Sequence, residues 1–539
     1  MLRRGEIRAA PGLVLVAALL GRVAVAAPPS APAPSAAAAA QQRFNVQEYR
    51  VLGNTVLPNR SIERVLYSRL GNEKTIEDVQ AARGALEQAY HEAGFATVFV
   101  DVPPQEVADG IVRLRVTEGR LRERTISGAR YFSEEKILKA LPATAPGQVP
   151  KLPDLQSELN ALNTQTADRS VMPVLKPGPD PGTMDLALKV DDHLPVHGGV
   201  DLNNQYTPGT APLRATVSLG YYDMFDQLDS LSGQYTWAPQ KAGQVGIINA
   251  VYAVHALEGG IRPSVAYIHS SSDVATVGTL GVLGNGEVYM GRVSVPLSNP
   301  LAGLQSLTLG LDYKHFRNTI DLSDMPSVIQ PMSYVNASLT YSGAWQRLAS
   351  AGPVQSGSFD LGVDAGPRGP ANSNLDFAMN RYQARGNYIY LRGDGLLTLR
   401  LPAKLLMILR ASGQLALDPL VVYEQQSIAG ADGVRGYLEA EDLGDSAIKG
   451  SVQLQSPPVV VRKVTWGDVY VFFDAARSRH LEPLPDEPSH TSLRSWGAGL
   501  DLLPGHSITG YLTWVEPLLP GPTTAAHDAR VLFEIRGSF

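Results

Sequence analysis

The sequence predicts two small α+β repeats followed by an all-β domain that closes as a transmembrane barrel. Three observations lead there. From about Leu194 to Phe539, short segments alternate apolar and polar residues with hardly a helical period among them. Between Phe44 and Asp192 a mixed strand-and-helix pattern occurs twice. Beyond the N-terminus there is no apolar run of about 18 residues, the length a spanning helix needs. Alternation is explicit where Leu213, Ala215, Val217, Leu219 and Tyr221 interleave with Arg214, Thr216, Ser218 and Gly220. It recurs where Leu307, Leu309, Leu311 and Tyr313 interleave with Thr308, Gly310, Asp312 and Lys314, and again along Val335, Ala337, Leu339 and Tyr341. A period of two places one set on each face of a sheet. A soluble sandwich shares that period. The small, hydroxylated and charged second face, the aromatic segment ends and the number of segments favour a closed sheet with lipid outside and water inside.

Composition narrows the function classes. The 539 residues carry a net charge of -6 and no extended basic patch, so there is no nucleic-acid footprint. The chain has no cysteine, which excludes disulfides, thiolate nucleophiles and zinc-thiolate sites. Its 51 glycines suit many turns and tightly packed strands.

The N-terminus reads as an export signal over residues 1–26. Arg3, Arg4 and Arg8 precede an apolar run from Leu13 to Leu20, and Ala24-Val25-Ala26 offers a cleavage site. Residues 27–43, rich in Pro and Ala, form a linker with little reason to fold.

The first repeat, 44–119, opens with a strand in which Val46, Glu48 and Arg50 alternate with Gln47, Tyr49 and Val51, closed by a turn at Gly53-Asn54. A helix follows over Pro58–Leu70. Thr75 caps a second helix with Ile76, Val79, Leu86, Ala89 and Ala93 on one face, and Gly94 stops it. Strands over Thr97–Val102 and Ile111–Thr117 complete the unit. The second repeat, 120–192, has the same order. A strand leads to Gly128, Ser133 caps a helix, another helix runs from Pro153 to Leu162, and strands cover Ser170–Leu175 and Met184–Val190. Gly53 corresponds to Gly128 and Leu114 to Leu186, a period of roughly 75 residues.

A family resemblance follows from these segments. Tyr90-His-Glu-Ala-Gly94-Phe95, Val102-Pro103-Pro104-Gln105, and Gly110 through Val112, Leu114 and Val116 to Glu118-Gly119 resemble the first polypeptide-transport-associated (POTRA) domain of the two-partner secretion transporters. These are the TpsB family of haemolysin secretion/activation proteins, relatives of the barrel-assembly protein BamA. Leu175-Lys-Pro177-Gly178, Gly182, Leu186, Leu188 and Val190 resemble the end of the second such domain. The resemblance implies α+β POTRA repeats followed by an all-β transmembrane barrel of sixteen antiparallel strands over 193–539. It also implies an outer-membrane protein with periplasmic POTRA domains and a secreted TpsA-type exoprotein as partner.

Two motifs in the barrel region extend the resemblance. Gly433-Val434-Arg435-Gly436-Tyr437 resembles the motif that this superfamily carries at the tip of a loop folded into the lumen, here around 425–445. Phe472-Phe473-Asp474 resembles the motif of a neighbouring wall strand, and the family arrangement implies that Arg435 reaches Asp474. Physical reasons agree. A wide barrel cannot fill itself with side chains, so a loop must be tethered inside. Arg presents a planar fork to a carboxylate, and Gly433 and Gly436 let the backbone take positive φ and approach the wall. Alternation sends Phe473 to lipid and Asp474 inwards, with Phe472 beside it on the wall. The alternative is a solvated Arg435 and a turn-forming Asp474. Against the family pattern, Ala429-Gly430-Ala431-Asp432 replaces paired glycines. Ala36–Gln42 forms two helical turns at most, too short for an independently stable pore plug.

The chain ends on a strand with Val531, Phe533, Ile535, Gly537 and Phe539 on one face. The resemblance implies that Phe539 is the signal to the barrel-assembly machinery; the alternative is a last lipid-facing residue. No P-loop, zinc spacing or nucleophile elbow occurs, and Gly278, Gly281, Gly284 and Gly286 read as an extracellular loop. No enzyme activity, cofactor, metal or nucleic acid is expected. The expected surroundings are outer-membrane lipid and, for the barrel, a monomeric state. The rivals to secretion are a factor that inserts other barrels and a passive porin.

Overall fold

A computed structural model describes residues 43–539, except 108, 273–274, 277–281, 298–302, 321–327, 350–351, 462–463, 486 and 504–506. The expected signal, most of the linker, the Ala36–Gln42 segment, Gly278 and Gly281 lie outside the described residues. The chain forms two compact units.

The first unit holds the first repeat. Glu48–Leu52 pairs in parallel with Ile111–Glu118, which pairs antiparallel with Val98–Asp101. Helices Asn59–Tyr67 and Ile76–Glu92 supply Ile62, Leu66, Val79, Leu86 and Tyr90 to a core shared with Val98, Val112 and Leu114. The longer helix starts with a capping box in which Thr75 and Asp78 satisfy each other's backbone N–H groups. It ends where Gly94 takes φ 94°. The expected first strand is broken at Gln47, whose N–H bonds Gly110 O, so the alternation changes phase there. Val46 is buried although Glu48 and Arg50 are exposed, and Tyr49 and Val51 pack on the same core. Phe44–Val46 pairs instead with Gly71–Lys74, a short strand that no apolar alternation announces.

The second unit joins the second repeat to the barrel. The repeat's strands Arg120–Ser127, Arg169–Pro177 and Thr183–Asp192 form one sheet, covered by helices Glu134–Lys139 and Leu152–Asn163. Ser133 occupies the expected cap position, but its side chain makes no capping bond.

Two glycine contacts fix the correspondence of the repeats. A Cβ on Gly53 (φ 90°) would lie 2.4 Å from Val116 O, and one on Gly128 (φ 95°) 2.1 Å from Val190 O. Val116 therefore matches Val190, and Leu114 matches Leu188 rather than Leu186.

Among the described residues sixteen antiparallel strands close the barrel. We number them β1 (Val196–Asn203), β2 (Arg214–Met224), β3 (Asp229–Trp237), β4 (Gly246–Ala253), β5 (Arg262–Ser270), β6 (Gly286–Pro296), β7 (Leu304–Ile320) and β8 (Val328–Ala349). The remainder are β9 (Gly352–Ala365), β10 (Ile389–Arg400), β11 (Leu406–Ala416), β12 (Ser446–Gln455), β13 (Val464–Arg479), β14 (His490–Leu502), β15 (Ile508–Pro517) and β16 (Arg530–Ser538). Val217, Leu219, Leu309, Leu311, Leu361, Leu391, Val469 and Val471 are exposed on the outer face, as lipid contact requires. Asp312, Lys314, Asn336, Asp364 and Asp474 point inwards and are buried there. The strands start from the end where the second repeat enters. Connections at that end are short, such as 225–228 and 401–405, while 366–388 and 417–445 lie at the other.

Candidate functional site: a loop pinned inside the barrel

The β11–β12 connection starts earlier than expected, at Leu417, and its first residues are already anchored. Glu424 is buried, its carboxylate accepting from Lys314 Nζ on β7 at 2.5 Å, Tyr334 Oη on β8 at 2.6 Å and Tyr390 Oη on β10 at 2.8 Å. The loop then crosses the lumen to the β12–β13 wall. There Arg435 Nε donates to Asp474 Oδ2 at 2.7 Å and Nη2 to Oδ1 at 2.9 Å, a two-pronged pair. The backbone N–H of Arg435 bonds the same carboxylate at 3.2 Å. Nη1 reaches Gln453 Oε1 at 3.1 Å and Nη2 reaches Ser451 Oγ at 3.2 Å. The guanidinium carbon lies 3.4 Å from the centre of the Phe472 ring.

Strand register builds this receptor. Ser451 pairs with Asp474 and Gln453 with Phe472, so four inward side chains form one rectangle on two strands. Gly497 faces Phe472 on β14, and a Cβ there would come within 2.6 Å of the ring. A side chain at Gly497 would push the ring off the wall and tilt the surface on which Arg435 stacks. Asp474 is 0% exposed and Phe473, one residue away, is 45% exposed. An ion removed from water this fully needs all of its bonds made.

The rest of the motif is equally committed. Gly436 takes φ 96°, and a Cβ there would meet Val515 at 2.9 Å, so the backbone needs both its conformation and its closeness to β15. Gly433 does not have a positive φ. It is small because Ile428 O lies 2.4 Å from where its Cβ would be, and Val434 N–H bonds that carbonyl. Val434 is buried with Ile428, Ala447, Ala476 and Leu493. Tyr437 Oη contacts Arg494 O at 3.0 Å and Leu519 O at 2.6 Å.

Sequence reasoning missed the loop's other anchors. Asp445, 0% exposed, accepts from Arg381 Nη1 at 2.7 Å and Nη2 at 2.8 Å, from Leu420 N–H at 2.9 Å and from Leu481 N–H at 2.7 Å. Glu441 accepts from Thr523 N–H at 2.7 Å and from both Thr524 N–H and Oγ1 at 2.6 Å. Their only signal was a run of acids, Glu439, Glu441, Asp442 and Asp445, close to the motif.

At the chain end, Phe539 N–H bonds Gly198 O at 3.0 Å and Gly198 N–H bonds Phe539 O at 3.2 Å. The terminal ring lies over Gly198, where a Cβ would clash at 2.6 Å. Phe539 thus sits at the seam where β16 meets β1, next to Ser538 paired with Gly199.

In the repeats, equivalent carboxylates hold equivalent turns. Glu118 accepts from the Thr55 hydroxyl and the N–H groups of Thr55 and Val56. Asp192 accepts from the N–H groups of Arg130, Tyr131 and Phe132 at 2.9, 2.9 and 3.3 Å. Burial favours the neutral acid at both. The bonds to Glu118 with nearby Arg120, and the three N–H groups on Asp192 with Arg130, outweigh it and hold both carboxyls below their ordinary range.

Comparison with known proteins matches residues 44–119 to the family described as POTRA domain, ShlB-type. This chain carries a ShlB-type POTRA domain ahead of a closed barrel. Outer membrane transporter CdiB of Dickeya dadantii (strain 3937) is 25% identical over 186 residues, 34% of this chain and 32% of that protein. CdiB-2 of Burkholderia pseudomallei (strain 1026b) is 30% identical over 138 residues, 25% of this chain and 22% of that one. The match to the Dickeya protein therefore spans about a third of its length, and that to the Burkholderia protein less. Among solved structures, CdiB from Escherichia coli aligns with a TM-score of 0.55 at 20% identity, over 94% of this chain and 93% of that one. BamA from Haemophilus ducreyi lacking POTRA domains 1-3 aligns with a TM-score of 0.57 at 14% identity, over 92% and 100%. The fold is that of both. A ShlB-type POTRA domain joined to a barrel with an apolar exterior places the chain in the outer membrane, its POTRA domains in the periplasm.

Proposed function

We propose that this protein is an outer-membrane translocator that exports one large, unfolded partner exoprotein of the haemolysin, adhesin or toxin type. The observation that carries the reading is the loop pinned by Arg435 to Asp474 inside a barrel that follows a ShlB-type POTRA domain. Relatives named outer membrane transporter CdiB support it. The POTRA domains capture an extended segment by adding a strand to a sheet edge or by receiving it along a helix-strand groove. The segment then passes the lumen once the loop tip leaves its seat.

One wall of the lumen suits that passage. Thr216, Ser218 and Gly220 on β2, Ser232 and Gln234 on β3, and Asn249 and Val251 on β4 are paired across neighbouring strands, and all are neutral. The loop is seated on β7, β8 and β10 and on β12–β15 instead. A neutral, hydroxyl- and amide-bearing wall binds an extended chain weakly and without regard to its side chains. No residue is assigned to nucleotide hydrolysis, so the driving force is the partner's folding outside the cell. Phe539, at the seam, is the residue we assign to recognition by the barrel-assembly machinery.

Removing residues 44–192 abolishes secretion of the co-encoded exoprotein and leaves a barrel in the membrane. Unchanged secretion by that variant refutes capture by the POTRA domains. The second reading, a factor that inserts other barrels, draws on the BamA-like fold. Depletion separates them: loss of one exported protein supports export, and loss of many outer-membrane proteins supports assembly.

A further inference from the structure

The outer, lipid-facing wall of β3–β7 contains a depression of about 590 Å³. Its floor comes from one row of directly paired residues, Leu231, Tyr252, Val265, Gly291 and Leu311. The depression exists because small residues interrupt a surface of large ones. Chain neighbours aside, the atom nearest a Cβ placed on Gly291 is Leu311 O at 3.9 Å. Ala250, one row up on β4, adds to the gap.

What covers this surface follows from the rows above it. The next row towards the end remote from the POTRA domains brings together Tyr267, Tyr289 and Tyr313, with ring centres 5.0 and 6.3 Å apart. The row after that is His269, Glu287 and His315. There Glu287 accepts from Tyr289 Oη at 3.0 Å and lies 3.9 Å from His269, while His315 Nδ1 is 2.7 Å from Ser333 Oγ. Arg317, exposed, is two residues further along β7 on the same face. Read upwards on that strand, Leu309, Leu311, Tyr313, His315 and Arg317 run from apolar through aromatic and titratable to cationic. Tyrosine rows mark the level of lipid headgroups. An apolar notch immediately below that level is filled by an acyl chain, and the Arg317 cation above it meets a phosphate. Arg presents a fork matched to phosphate oxygens.

We propose that this notch is a binding site for a phosphoglycolipid of the outer leaflet, with one saturated chain lying against Gly291 and a sugar phosphate held by Arg317 and His315. The inference rests on the outer-membrane location and is independent of export. Glu287 works against a bare anion. It is tied to Tyr289 and faces His269, so the phosphate is placed on the β7 side of it.

The test uses the full chain, delipidated in detergent, with purified diphosphorylated lipid A added back. Phosphatidylethanolamine serves as the comparison, and the temperature at which the barrel loses its heat-resistant gel mobility is the readout. Lipid A raises that temperature in the wild type and phosphatidylethanolamine does not. Gly291→Leu, which has room for its side chain, fills the notch and cuts lipid A affinity by about tenfold or more while the lipid-free barrel melts unchanged. Arg317→Gln weakens lipid A and makes the remaining binding less sensitive to salt. Equal protection by both lipids, no protection of the wild type, or full protection of Gly291→Leu overturns the proposal. Should Gly291→Leu not assemble, Ala250→Leu tests the same notch from the other side. Wild-type protein that binds lipid A but secretes no partner tells against the export reading alone.

Discussion

Arg435 is tied to the wall by its side-chain bonds, a backbone N–H and a ring face, so substitutions there separate charge from shape. Arg435→Lys keeps the charge but loses the fork and the flat contact with Phe472. It is expected to secrete poorly while the barrel still inserts, measured as exported partner per heat-modifiable barrel. Arg435→Ala leaves Asp474 buried without its cation, a cost of about 3–5 kcal/mol in a dry site and less where lumen water reaches it. Asp192 offers a pH prediction outside the membrane. Its folded carboxyl titrates below its unfolded value, so its stabilisation is complete above the unfolded pKa and is lost as pH falls through the folded one. Hydrogen exchange of the Arg130–Phe132 amides in the full chain, corrected for the intrinsic rate, should therefore rise below about pH 4 and stay flat above it. In Asp192→Asn, those amides should already exchange faster at neutral pH.

At the scale of elements, the inserted loop is held at its root as firmly as at its tip. Asp445 alone gathers Arg381 from the 366–388 connection, Leu420 from the loop's first leg and Leu481 from the 480–489 connection. Asp445→Ala is expected to loosen three connections together and to raise ion conductance in planar bilayers, where Arg435→Ala frees only the tip. Equal conductance in wild type and Asp445→Ala would contradict a closing role for the root. In the repeats, Gly128→Ala forces a Cβ into Val190 O at a positive φ and should cost at least about 1 kcal/mol, read as earlier local unfolding of the second repeat. The elements that were legible in the sequence had strong periodicity or punctuation, such as the capping box at Thr75 and the stop at Gly94. Gly71–Lys74 was not, because Gly-Asn-Glu-Lys has no apolar face and pairs only through its backbone. The Gly433 assignment failed for a related reason. Sequence shows that a position is small but cannot say whether conformation or a neighbour demands it.

For the whole molecule, alternation over some 340 residues made the barrel readable, because lipid outside and water inside constrain every strand alike. The Arg435–Asp474 contact was legible only through a family motif, since the two residues are 39 apart in sequence and meet across a lumen. The root anchors were hidden because carboxylates such as Glu424 and Asp445 look like ordinary loop acids until partners from distant strands surround them. On the export reading the loop tip must return to its seat as well as leave it, so a broken seat lowers secretion. The most direct test is a double-mutant cycle on secretion at matched barrel levels, using Arg435→Ala, Asp474→Ala and the pair. If the two residues act as one contact, each single variant loses about tenfold or more of secretion and the double is no worse than either. Single variants that secrete like wild type, or a double whose loss is the product of two independent losses, would contradict it.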